Sequence, residues 1–203
     1  MAETSGSVVT KAIWLENPVY RQVLGICSTL AVTNLMWNTL YMCAGVIFVT
    51  TASNFTVSLL RNHIPKRIRM VVQVLIIASF VMMVDIVIRA SAPDIHRFIG
   101  PYVGLIITNC IIMGRAEAFA SQNKPGISLV DGFASGLGYA FVLVAIAMIR
   151  EPLGFGTLLD YPLPGRDIWW HQWTIMVMPP GAFFMLAIIT WFARGWLTPS
   201  VNK

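Results

Sequence analysis

Charge is what this sequence has least of. Of its 203 residues, 11% are Asp, Glu, Lys or Arg, against 57% apolar and a mean hydropathy of +0.71. A soluble domain carries about 25% charged residues, so these few cannot cover a water-facing surface. Cysteine is scarce too. Cys27, Cys43 and Cys110 all lie inside or beside apolar stretches, and an odd, sparse set excludes a disulfide framework. The opening MAETSGSVVTKAIWLENPVYR spreads its charges without the charged, apolar, small-residue order of a removable signal peptide. Six spans of about 20 residues would take up roughly 120 positions, which leaves short loops and excludes a Rossmann, kinase or barrel enzyme. The formal charge of +5 therefore belongs with the loops of a membrane protein and not with nucleic-acid binding.

Apolar density predicts six segments, at 22–43, 44–60, 68–89, 99–119, 128–149 and 173–194. The second, third, fifth and sixth are continuous runs. The first, QVLGICSTLAVTNLMWNTLYMC, and the fourth, GPYVGLIITNCIIMGRAEAFA, are interrupted near a cysteine by Gly, Ser, Thr and Asn, and the fourth also by Arg115 and Glu117. Both read as broken helices. The expected organisation is a cytoplasmic segment at 1–21, one six-helix transmembrane domain at 22–195 and a cytoplasmic tail at 196–203. With six crossings, the side that takes both termini and the turns at 61–69 and 120–127 carries ten of the 14 Lys and Arg. That excess places both termini in the cytoplasm.

A weak internal repeat runs through the chain. Each half has an interrupted segment with a cysteine, then two continuous spans separated by an Arg-containing turn, RNHIP in the first half and REPLG in the second. Thr33-Asn34 follows Cys27, whereas Thr108-Asn109 precedes Cys110. Three spans per half is an odd number, so the second half enters the membrane upside down. The expected fold is all-α and polytopic: six transmembrane helices in two inverted three-helix repeats, with helices 1 and 4 broken. In such folds, broken segments at matching positions point to the functional site, which here brings Cys27 and Cys110 together near the bilayer midplane.

A cysteine in an apolar helix is ordinarily a small buried hydrophobe, and Cys43 is read that way. Cys27 and Cys110 differ because non-helical backbone at membrane depth is tolerated only inside protein or along a cavity. Thiolates hold iron, and amides freed by a break hydrogen-bond to sulfur. Two thiolates cannot complete a site that takes four ligands, and His63, His96 and His171 are all expected in loops. The residues leave three readings open: a metal site shared with another chain, a disulfide, or two inert thiols.

Other polar groups have ordinary explanations beside functional ones. Asp85 precedes Arg89 by one helical turn, the spacing of a simple ion pair. Asp131 opens the fifth segment, where it reads as an acid complementing a helix N-terminus. Arg115 and Glu117 are two apart, so each is expected to find its partner on another element. An ion pathway would draw on oxygens such as Asp85, Asp131, Asn54, Thr50, Thr51 and Thr56. Gly132 and Gly136 form a G-x-x-x-G packing face, and Trp169, Trp170 and Trp173 form an interfacial belt. The basic turn RNHIPKRIR would also suit anionic lipid.

At GICSTLAVTN, LLRNHIPKRIRMVVQVLIIASF and GLIITNCIIMGRAEAFA the chain resembles a known family over Asn17 to Trp196. That family comprises the D subunits of sodium-translocating NADH:quinone oxidoreductases and the E subunits of Rnf-type ferredoxin:NAD oxidoreductases. The resemblance implies a multi-pass protein of the bacterial inner membrane, paired with a homologous membrane chain of opposite orientation, the E subunit of the same complex. It further implies an intramembrane [2Fe-2S] cluster with two cysteines from each chain, here Cys27 and Cys110, which relays electrons coupled to Na+ transport. NADH, flavins and quinone would sit on other subunits, and this chain would be no catalyst alone. Asp85 and Asp131 match acidic positions near the family's sodium path. The loop Leu159 to Trp173 does not follow the pattern, and MPPGAFF reads closer to the Rnf relatives. Two rivals of other classes remain: a non-redox secondary transporter, and a purely structural subunit.

Overall fold

The computed structural model of the chain describes residue 19 and residues 24–65, 67–91, 93–158, 161–162 and 177–197. Among these, the architecture is an all-helical, polytopic membrane protein. Its elements are α1 (Ile26–Val32), α2 (Met36–Leu60), α3 (Arg69–Ser91), α4 (Pro93–Ile107), α5 (Cys110–Arg115) with a π-helical continuation (Ala116–Ala120), α6 (Pro125–Phe155) and α7 (Pro179–Leu197). A two-residue antiparallel pair, β1 (Thr157–Leu158) with β2 (Tyr161–Pro162), follows α6. Four stretches are long and apolar enough to cross a membrane: Met36–Leu60, Arg69–Ser91, Gly100–Ala120 and Pro125–Phe155; Pro179–Phe192 is a shorter apolar helix.

Local chemistry explains the ends of the longest helix. Pro125 occupies its first turn, where a missing N–H costs nothing, and Gly156 ends it at φ 67°, donating its N–H to the carbonyl of Pro152. The helix begins upstream of the expected segment because its first turn, at the membrane surface, need not be apolar. It also runs through Arg150, Glu151 and Pro152, so REPLG is helix and not the turn that was expected.

The centre of the molecule is α2 packed antiparallel against α6. Gly136 lies opposite Ile47, and Gly132 lies opposite Thr50 and Asn54. A Cβ on Gly132 would stand 3.0 Å from the Thr50 carbonyl oxygen, and one on Gly136 would stand 3.1 Å from Ile47 Cα, so the G-x-x-x-G face is what lets the two backbones meet. Val46, Val49, Tyr139, Leu143 and Ile146 fill the core between them. Outward faces are apolar: Leu75 and Ile86 on α3 and Phe184 and Trp191 on α7 are 66–77% exposed, as suits lipid or another membrane chain.

The inverted repeat is visible in this pairing. Each half runs from a break through a short helical piece (α1; α5 with its π-helical turn), a long core helix (α2; α6) and an outer helix (α3; α7). The two long helices, equivalent by position, run in opposite directions. Each also ties down the corner that precedes the other. Near the end of α6, Arg150 donates to the Leu30 carbonyl at 3.4 Å and to Thr33 Oγ1 at 2.8 Å, while Glu151 accepts the Met36 amide at 3.0 Å. At the end of α2, Ser58 Oγ reaches the Asn123 carbonyl at 2.5 Å and Arg61 reaches the Gln122 carbonyl at 3.0 Å.

Those ties correct the expected boundary between the first two segments. Cys43 and Ala44 lie inside one continuous 25-residue helix, and the chain turns instead at Thr33–Leu35, with Leu35 extended at φ −128° and ψ 133°. Thr33-Asn34 is therefore the α1–α2 corner, while Thr108-Asn109 is a break within the fourth segment, so the two polar pairs do different jobs. His96, expected in a loop, lies in α4. His171, the interfacial tryptophans 169, 170 and 173, and most of the expected terminal segments lie outside the described residues.

Candidate functional site

Both halves break immediately before a cysteine. At Gly25 the backbone takes φ 82°, a left-handed conformation that glycine adopts without cost, and α1 starts with no side-chain cap. The second break is built differently. Asn109 is the N-cap of α5, its Oδ1 accepting the Ile111 amide at 3.0 Å. Cys27 is thus the second residue of α1 and Cys110 the first of α5.

The two breaks touch each other. A Cβ on Gly25 would sit 2.7 Å from Ile111 Cδ1 and 2.8 Å from Tyr139 Cε2, so only glycine lets the first break close onto the second. Leu24 packs against Gly114 of α5. Between the breaks runs a buried polar chain: Asn109 Nδ2 donates to Ser28 Oγ at 3.4 Å, and Ser28 Oγ also meets the Tyr139 hydroxyl in a short contact. Ser28 and Asn109 are the direct sequence neighbours of Cys27 and Cys110, so that hydrogen bond ties together the two backbone segments that carry the cysteines. Tyr139 marks the depth. It is near the middle of the 31-residue α6, which spans about 46 Å at 1.5 Å per residue, more than a hydrocarbon core of about 30 Å.

Exposure separates the three thiols. Cys27 is exposed, Cys110 is half-buried and Cys43 is buried, its Sγ directed at the Ala140 carbonyl 3.9 Å away. All three are free. Among the described residues, no group of three or more His, Cys, Asp and Glu gathers into a complete metal site. Cys27 and Cys110 offer two thiols, one exposed and one half-buried. That donor set fits two positions of a four-thiolate iron–sulfur centre and does not fit a self-contained one.

Each of the two carboxylates is engaged by basic side chains of the chain. Asp85 receives Arg89 Nη2 at 3.2 Å and His96 Nε2 at 2.9 Å, which adds a histidine to the expected ion pair. Asp131 is fully buried at the seventh position of α6, beyond the first turn, so it does not complement the helix N-terminus as expected. It binds Arg115 through both oxygens, with Arg115 Nε at 3.0 Å and a second, shorter contact from Nη2 to Oδ1. The guanidinium carbon of Arg115 also lies 5.3 Å from the Phe119 ring centroid. Glu117 turns the other way, as its spacing required, to Gln73 at 2.7 Å and Arg69 at 3.2 Å on α3.

Of the other oxygens, Thr50, Thr51 and Thr56 each donate to the carbonyl four residues back, at 2.6, 2.7 and 2.8 Å. Asn54, buried against Gly132, has neither amide atom hydrogen-bonded. Sequence reasoning missed Tyr139, Ser28, Arg150 and Glu151 as organising residues. A lone phenol in the middle of an otherwise apolar span was the available signal for the first, since a buried hydroxyl needs a partner.

Comparison with known proteins follows the same outline. The family model described as Rnf-Nqr subunit, membrane protein, matches residues 6–190. A protein of Psychromonas ingrahamii, named as the D subunit of Na(+)-translocating NADH-quinone reductase, is 46% identical over 191 residues, 93% of this chain and 91% of that one. The protein of the same name from Photobacterium profundum is 47% identical over 181 residues, 88% of this chain and 86% of that one.

Proposed function

Since the chain belongs to the Rnf-Nqr family of membrane subunits, we propose that it serves in a sodium-translocating NADH:quinone oxidoreductase. In this reading it supplies two thiolate ligands, Cys27 and Cys110, to a [2Fe-2S] cluster completed by a homologous membrane chain of opposite orientation. NADH, flavins and quinone belong to other subunits of the complex. Both termini face the cytoplasm of a bacterial cell, by the Lys and Arg excess, and the membrane is the inner one.

The observation that carries this reading is the contact between the two breaks. Gly25 packs on Ile111, and Ser28 is hydrogen-bonded to Asn109, so the two cysteine-bearing segments, from distant parts of the chain, meet, and Cys27 is exposed. A cluster held there supplies one-electron transfer through the membrane interior. The residues of the chain do the rest. In this reading the two breaks would position the sulfurs, and exposure of Cys27 leaves room for the sister chain's ligands.

Asp85 and Asp131 are assigned to the sodium route. Each is engaged by a cation of the protein itself, Arg89 and His96 for one and Arg115 for the other. A sodium ion using either carboxylate would compete with that partner, and at Asp131 it would act on Arg115 at the end of α5.

In the complete purified complex, Cys110→Ala abolishes the two-iron signal in electron paramagnetic resonance and quinone reduction, while NADH still reduces a soluble acceptor. Cys43→Ala changes neither. Undiminished quinone reduction and iron content in Cys110→Ala would refute the assignment and favour a structural subunit.

A further inference from the structure

Tyr139 reaches the contact between the two breaks. Its ring edge lies against Gly25, its hydroxyl meets Ser28 Oγ, and Ser28 in turn receives Asn109 Nδ2 at 3.4 Å. Ser28 Oγ also lies 3.2 Å from the Gly25 carbonyl, an acceptor. A hydroxyl has one donor and two acceptor positions. Ser28 fills all three when it donates to Gly25 and accepts from Tyr139 and Asn109. That arrangement fixes the Tyr139 proton on the phenol, pointing toward Ser28. Each residue of the set is buried, while Cys27 is exposed and Cys110 half-buried.

We propose that Tyr139 is a positioning residue for the Cys27 and Cys110 half-site, acting through Ser28 and Asn109 to hold the two breaks in register and to set the polarity behind the sulfurs. The inference rests on the shared-cluster reading above and goes beyond it, because the ligands alone say nothing of what lies behind them. Partners beyond the ligand shell orient thiolates and tune reduction potential. Reduction adds negative charge, and a buried hydroxyl network disperses it better than hydrocarbon does. Removing the phenol oxygen makes that region more apolar and disfavours the reduced form, so the potential moves negative.

The test uses Tyr139→Phe in the complete complex, with iron content, the paramagnetic spectrum and a redox titration of the cluster. Iron is expected to stay at the level of the unsubstituted complex. The spectrum changes, and the reduction equilibrium falls by up to about tenfold, equivalent to about 59 mV for one electron. Ser28→Ala, which leaves the ring in place, is expected to shift the potential in the same direction. The double variant should fall short of the sum of the two, as residues in one hydrogen-bonded network do. Full iron with an unchanged or positive potential overturns the proposal, and so do additive shifts. If Tyr139→Phe does not assemble, Ser28→Ala decides alone: a negative shift supports the role and no shift overturns it. A complex whose cluster survives replacement of Cys27 and Cys110 would instead sink the shared-cluster reading, a separate outcome.

Discussion

Gly25 and Asn109 make the same bend by opposite means. The first uses backbone freedom, with φ 82° and no capping side chain; the second uses a side chain that accepts the Ile111 amide. The corners show a parallel contrast. The one before α2 is closed by Arg150 and Glu151, both almost fully buried, whereas the one before α6 is tied by Ser58 and the half-exposed Arg61. Inverted repeats therefore share a shape without sharing the chemistry that holds it, and the first half is the more brittle of the two.

Replacing the corner arginines tests that contrast most severely. Arg150→Leu leaves the Leu30, Val177 and Met178 carbonyls and Thr33 Oγ1 without this donor. It is expected to cost about 3–5 kcal/mol in thermal or denaturant unfolding of the purified protein, from the loss of a nearly fully buried guanidinium and the hydrogen bonds it makes. Arg61→Leu should cost under about 1 kcal/mol, because water replaces its bond. Equal losses would erase the difference between the corners.

At the breaks, Gly25→Ala adds left-handed strain and a Cβ within 2.8 Å of two side chains, and is expected to cost about 2–4 kcal/mol. Asn109→Ala removes one cap and one hydrogen bond, about 1–2 kcal/mol by the same measurement. An Asn109 variant as damaging as the glycine one would mean that both breaks depend on packing alone. The smallest effect belongs to Glu117→Gln. That carboxylate is 48% exposed opposite Arg69, so its loss should stay below about 1 kcal/mol and shrink further in salt.

How much of this was legible in the sequence follows from where each cause sits. Thr108-Asn109-Cys110 interrupts an apolar run with its own polar atoms, so the second break could be read directly. Gly132 and Gly136 likewise announced the contact they make with α2. The α1–α2 corner could not be read. Leu35, Met36 and Trp37 carry the apolar pattern straight through it, and the groups that close it come from Arg150 and Glu151, more than a hundred residues away in sequence. Asp131 misled for a related reason. A hydropathy window begins where the apolar residues begin, but α6 begins at Pro125, which moves the carboxylate from the helix start into its body and against Arg115. Tyr139 is uncharged at neutral pH, so a search for charged groups passes over it.

The bond from the Met36 amide to Glu151 spans 115 residues. A ribosome making roughly 5–20 residues per second needs about 6–23 s to cover that interval. Throughout it the first half waits in the bilayer with an unsealed helix start, dependent on whatever chaperones or lipids attend newly inserted segments. Only when α6 has been threaded in does the earlier half acquire its final lock, so the maturation of one end of the protein is timed by the synthesis of the other.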